Sequence, residues 1–165
     1  DAIGLNFYAK SKRFVSTEIA AEIVEQLPDS IDPVGLFVNA DVQRIVDVCS
    51  ECRIETVQLH GDESPQMLAD LLSTRPQTKI IRAFRIGDSG TTEMAEYLDE
   101  CGKLDVQLAA CLTDAHSDSE YGGTGEVIGW SDLQADYQFD KWPPLILGGG
   151  LTMNNVDEAI HPVHH

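Results

Sequence analysis

Asp114 closes a nearly unbroken apolar run, "VQLAACLT", and opens a polar, glycine-rich segment, "DAHSDSEYGGTGEVIGW", that reaches Trp130. A carboxylate at the mouth of a buried strand is partly desolvated. That raises its pKa toward neutrality and suits it to general acid or base work. An isolated aspartate can equally be a turn or helix cap; the glycine-rich segment behind it favours chemistry. A second constellation is "LGGGLT", where Gly148, Gly149 and Gly150 run straight into a helix signal. Glycines let backbone N–H groups approach a ligand closely, and a helix N-terminus adds unpaired N–H groups and a positive dipole end. Such a turn suits a phosphate, although glycine-rich turns also serve packing. His60, in "QLHGDE", either caps a strand end or sits over a substrate.

Regular elements must carry these residues, and the pattern supplies them. Apolar runs at 1–8, 32–39, 55–61, 79–86, 105–113 and 144–150 read as strands. They are runs more than alternations, as expected when both faces of a parallel sheet are covered. Between them, apolar residues recur at helical spacing over 16–27, 41–49, 64–72, 91–102, 131–137 and 152–160. Ile19, Ala20, Ile23, Val24 and Leu27 share one face of the first, with Ser16 as its cap. Ser64 caps the third, Pro65 stands in its first turn, Gly102 ends the fourth and Thr152 caps the last.

Six βα units in alternation predict an α/β domain with a parallel sheet and helical crossovers. Two architectures fit: an open doubly wound sheet, or part of an eightfold barrel. Both place active sites at the carboxyl ends of the strands. Those ends carry Lys10, Lys12 and Arg13, then Asn39, then His60 and Gly61, then Arg82 and Arg85, then Asp114, then the triple glycine. Five of the 11 Lys and Arg residues thus sit in or just after two strands of a chain whose net charge is −17. A locally positive site on an acidic protein suits an anionic small molecule. The overall acidity argues against a nucleic-acid surface and against anionic membranes, and reads as solubility or adaptation to salt.

The 165 residues suit a single domain, and 42 % of them are hydrophobic. Cys49 and Cys52 have CxxC spacing, which can mark a redox or zinc site, but they read as the tail of a helix with no second pair, so zinc is not expected. Cys111 reads as a small hydrophobe. No disulfide framework, signal peptide or transmembrane run is visible, which points to a reducing cytoplasm. The closing His164 and His165 are not read as metal ligands.

The segments "GLNFYAKSKRFV", "VGLFVN", "VQLHGDES", "DAHSDSEYGGTGEVIGW" and "LILGGGLTMNNVDEAI" together resemble the phosphoribosylanthranilate isomerase family of tryptophan biosynthesis. They lie in family order and at family spacing over nearly the whole chain. The resemblance implies a (β/α)₈ TIM barrel of which these residues form strands two to seven. It implies an Amadori rearrangement of N-(5-phosphoribosyl)anthranilate, with no cofactor or metal, in a monomer or homodimer. It casts Asp114 as the general acid that opens the ribose ring and Arg13 as the partner of the anthranilate carboxylate. His60 would line the site, and Gly149 and Gly150 would hold phosphate. Arg82 and Gly123 complete the expected substrate-binding set, the loop through Gly122, Gly123, Thr124 and Gly125 acting as a cover closed by Trp130.

The chain also departs from the family pattern. The family's general base is a cysteine in a Lys-Ile-Cys-Gly segment on the first strand, and none of the four cysteines here matches it. The expectation is that this chain alone is inactive or nearly so, and that its sheet edges need covering. Two rival readings remain: a fragment that binds anionic sugars without turnover, or another phosphate-binding barrel such as indole-glycerol-phosphate synthase. The latter needs a lysine at a strand end, whereas Lys79 begins its strand.

Overall fold

In the computed structural model, which describes residues 1–85, 90–114, 133, 136–148, 153 and 156, every strand pairs with the next strand in the chain. The strands are β1 (Ala2–Asn6), β2 (Asp32–Phe37), β3 (Thr56–Leu59), β4 (Lys79–Arg85), β5 (Ala110–Asp114) and β6 (Leu145–Gly148). All pairings are parallel, and the sheet order is β1-β2-β3-β4-β5-β6. That order decides between the two architectures. A doubly wound sheet reverses direction at a switch point, whereas this one never does. With right-handed crossovers, an unreversed order puts every helix on one face, which is barrel winding.

The helices are α1 (Thr17–Glu25), α2 (Val42–Glu51), α3 (Pro65–Thr74) and α4 (Thr92–Lys103). They pack in sequence, α1 on α2, α2 on α3 and α3 on α4. Ser16, Asp41 and Ser64 cap the first three by accepting the N–H groups of Ile19, Arg44 and Met67. Leu133 and Asp136 are helical within the expected helix 131–137, and Val156 within 152–160. Tyr137, the last residue of the first span, and Met153 in the second are described and not helical; the other residues of those spans lie outside the described set.

Three expectations shift. The fifth strand starts at Ala110, not at residue 105, because 105–109 is the return from α4. Asp105 takes a left-handed backbone there, with φ 56°. Gly102 does not end α4; the helix continues to Lys103, and Asp105 makes the turn. Ile19, expected on the buried stripe of α1, is 53 % exposed, and Ala20 is the fully buried residue.

Strand pairing sorts the side chains into two faces. One face carries Leu5, Val57 and Ile80, and in the next row Phe37, Leu59, Arg82, Cys111 and Leu145. Helix residues Ala20, Ile45, Val48, Leu68 and Leu71 pack on it and form the core with Leu5, Phe37, Val57, Leu59 and Ile80. A smaller cluster joins Phe84, Met94, Cys111, Leu133 and Tyr137 around the far end of α4 and β5. The opposite face holds Asn6, Leu36, Gln58, Ile81 and Ala110 in one row, and Ala83, Leu112 and Ile146 in another. It is less covered: Leu36, Gln58, Ile81 and Leu112 are half-buried and Ile146 is 38 % exposed.

All four cysteines are buried, free thiols. Burial pushes Cys49 and Cys101 up to about 11, and it raises Cys52 and Cys111 as well. The Cys49–Cys52 pair is therefore packing at the end of α2, with the Cys52 thiol donating to the Thr17 carbonyl. A raised folded pKa means the fold prefers the protonated thiol. The stability from that preference is complete below the ordinary value of 9.0 and is lost as pH rises toward 11. Urea denaturation should show a lower midpoint at about pH 10.5 than at about pH 8.

Candidate active site

Parallel strands put all their carboxyl ends on one rim, and Arg13, His60, Asp114 and Gly148 follow or close strands there. Asp114 is the last residue of β5 and stands in register between Arg85 of β4 and Gly148 of β6. The aspartate and the first glycine of the triple-glycine turn are thus direct neighbours across the sheet. A Cβ at Gly148 would come 3.3 Å from the Thr113 carbonyl oxygen and 3.4 Å from Leu112. The tight fit explains a glycine at that strand end. Gly149, Gly150, Gly123 and the remainder of the loop to Trp130 lie outside the described residues.

The turn after β1 carries Lys10, Lys12 and Arg13, all exposed. Asn6 organises it: its Oδ1 accepts the Tyr8 N–H at 2.9 Å and its Nδ2 donates to Ser11 Oγ at 3.3 Å. Ser11 Oγ in turn accepts the Arg13 N–H at 3.1 Å. The chain then pairs again with β1 through Phe14, so the cationic turn is pinned at both ends.

His60 follows β3, and its N–H donates to the Phe37 carbonyl at 2.9 Å, extending the β2–β3 ladder by one step. It lies two residues after Gln58, on the face away from the helices, and Gln58 Nε2 is 2.9 Å from its Nδ1. Beyond it, Gly61 presses against Asn39. A Cβ at position 61 would lie 2.3 Å from Asn39 Oδ1 and 2.6 Å from the Asn39 nitrogen, so only glycine fits. A cleft of about 260 Å³ opens beside these residues; among the described residues it is lined by His60, Asp62, Arg82, Arg85 and Glu93.

Arg82 lines this cleft and is at the same time tied into the protein. It shares the helix-facing side with Ile80 and Phe84 and is 7 % exposed. Its Nη1 donates to the carbonyls of Leu59 (3.0 Å) and Ala83 (2.6 Å), and its Nη2 to that of Gly61 (2.9 Å). Its guanidinium also lies over the rings of Phe84 and Tyr97. Glu63, 3.5 Å away and almost fully buried, balances its charge. Burial pushes the Tyr97 phenol up to about 12, and its hydroxyl donates to the Glu63 carbonyl. Arg82 is therefore committed to holding the rim together. Sequence reading missed Glu63 and Tyr97. The signal for Arg82 lay in its i±2 spacing from Ile80 and Phe84, both apolar and helix-facing.

Cys111 is fully buried in the same helix-facing row as Arg82. Lys79 is the first residue of β4, at the opposite end from the rim.

An unreversed parallel sheet with Asp114, Gly148 and a cationic loop at the carboxyl ends of its strands fits the (β/α)-barrel class. Comparison with known proteins narrows the class. The profile of the N-(5'phosphoribosyl)anthranilate (PRA) isomerase family matches residues 1–164. The chain is 37 % identical to the N-(5'-phosphoribosyl)anthranilate isomerase of Geobacter metallireducens, over 99 % of this chain and 73 % of that protein. It is 40 % identical to that of Geobacter sulfurreducens, over 99 % of this chain and 72 % of the relative. The crystal structure of the Thermotoga maritima enzyme superposes with a TM-score of 0.78 at 34 % identity, covering 99 % of this chain and 73 % of that one. The chain belongs to the N-(5'-phosphoribosyl)anthranilate isomerase family, and its sheet is part of that family's TIM barrel. Among the described residues, no helix is long and apolar enough to cross a membrane.

Proposed function

We propose that these residues form the substrate rim of an Amadori isomerase acting on N-(5-phosphoribosyl)anthranilate in tryptophan synthesis. The observation that carries the reading is the register of Asp114 with Gly148. One sugar phosphate can then meet a proton donor and a phosphate turn on adjacent strands. Asp114 protonates the furanose ring oxygen as the bond from carbon one to that oxygen breaks, which leaves a free hydroxyl and an iminium at carbon one. Loss of the carbon-two proton to a general base then gives the enolamine that becomes the ketose. Gly149 and Gly150 present backbone N–H groups to the phosphate, Gly123 lies in the loop that covers the substrate, and Arg13 pairs with the anthranilate carboxylate. His60 lines the pocket between them. Arg82 acts at one remove, as a positioning residue. A related isomerase structure, at 31 % identity and a TM-score of 0.75, was solved with reduced 1-(o-carboxyphenylamino)-1-deoxyribulose 5-phosphate. The same compound is the natural probe here.

The six strands take the places of strands two to seven of the barrel. The 165 residues by themselves bind this ligand but do not turn substrate over, because the family's cysteine base is not among them. Two measurements test this together. Calorimetric titration with the reduced compound should show binding that weakens about tenfold or more in Arg13→Ala, the loss of a charge-assisted contact. A fluorescence assay of the same chain with substrate should show no turnover. Absence of binding would remove the functional reading, and full turnover would remove the account of the base. The rival synthase reading has little support, since Lys79 lies at the wrong end of its strand.

A further inference from the structure

We propose that Glu63 is a positioning residue that sets the rim on which His60 stands. Its two carboxylate oxygens join two different strand ends. One accepts the N–H of Asn39, just past β2, at 2.7 Å; the other accepts the N–H of Gly61, just past β3, at 2.9 Å. The second oxygen also faces the Arg82 guanidinium at 3.5 Å. The side chain is almost fully buried, so water does not compete for these donors. Asn39 returns the clasp from the other side. Its Oδ1 accepts the Asp62 N–H at 2.6 Å and its Nδ2 donates to the Asp62 carboxylate at 3.3 Å. The left-handed backbone of Asn39, φ 51°, is held by these bonds.

Regular ladder pairing between β2 and β3 ends at Phe37 and Leu59, and only the His60 N–H bond continues it. Beyond that point the Glu63–Asn39 clasp alone, among the described bonds, keeps the two turns in contact. His60 is the residue immediately before the clasped Gly61, so its backbone cannot shift while the clasp is closed. Removing the carboxylate opens the turns, and His60 moves relative to Gln58. The inference rests on the functional reading above only where it concerns ligand affinity.

The test is Glu63→Gln in the 165-residue chain, with three readouts: the urea midpoint, the His60 imidazole resonances with their pH titration, and affinity for the reduced ribulose phosphate compound. A glutamine keeps one acceptor but turns an N–H₂ group toward an N–H donor. The expected result is a folded chain with shifted or broadened His60 resonances and a ~10- to 100-fold loss of affinity, as for a misplaced binding group. Ile45→Val, a mild core change on α2, should leave the His60 signals and the affinity unchanged. If Glu63→Gln does not fold, Asn39→Gly removes only the exposed half of the clasp at a position whose backbone suits glycine, and it too must shift His60. Wild-type His60 resonances in the folded variant would overturn the proposal. If the wild-type chain fails to bind the compound, the functional reading falls, and the His60 resonances still decide the role of Glu63.

Discussion

Asp114→Asn should cut turnover ~10²–10⁴-fold while leaving ligand affinity within a few-fold of wild type. General acid catalysis contributes ~10²–10⁴ in rate, and the amide is nearly isosteric but cannot donate the proton at carboxylic-acid strength. The measurement needs a background that turns substrate over. In that background a drop in kcat of ~10²–10⁴ with a nearly unchanged dissociation constant for the reduced compound marks a proton donor. Weaker binding with kcat preserved would instead make Asp114 a ligand contact. The neighbouring Arg85 and Gly148 supply the comparison. Changing either should alter binding before it alters the chemical step, since neither offers a proton at neutral pH.

The second large effect concerns stability. Arg82→Met is expected to destabilise the chain by about 3–5 kcal/mol, the usual cost of leaving one half of a buried ion pair behind. The methionine restores most of the packing against Phe84 and Tyr97. It leaves Glu63 without its cation, and it leaves the Leu59, Ala83 and Gly61 carbonyls short of a donor. Urea denaturation should show the midpoint falling with little change in slope. Pairing it with Glu63→Gln should recover part of the loss, because the uncompensated charge goes with the carboxylate. A single substitution costing less than about 1 kcal/mol, the range of an exposed ion pair, would show that water reaches the guanidinium and that the rim is looser than described.

The helices were easy to read because their signals are local. Ser16 and Ser64 cap where a serine before an apolar period should, and the unreversed strand order needs no more than alternation plus the barrel rule. The start of β5 was not legible. "DVQLA" is apolar enough for a strand, but the chain needs those residues to return from the end of α4, and the Asp105 turn that does it has no local signature beyond an aspartate. The rim was half legible. Asp114, His60 and Gly148 could be placed because strand ends follow from the apolar runs. The bonds that hold Arg82 were not legible, because a cation inside a strand near a site reads first as a substrate contact. Its true partner, Glu63, lies in the next loop but one, and no short-range pattern links a glutamate after "HGD" to an arginine nineteen residues on. Cross-strand alternation was the usable clue, since Ile80, Arg82 and Phe84 must share a face.

Among the described residues each strand pairs with the strands that precede and follow it in the chain, and α1 to α3 each pack beside their successor. Such wiring makes the molecule a row of cassettes rather than a knot of distant partners. Swapping one βα cassette for that of a relative disturbs only two seams. The clasp between the second and third turns marks a seam where a donor cassette must bring its glutamate along with its asparagine.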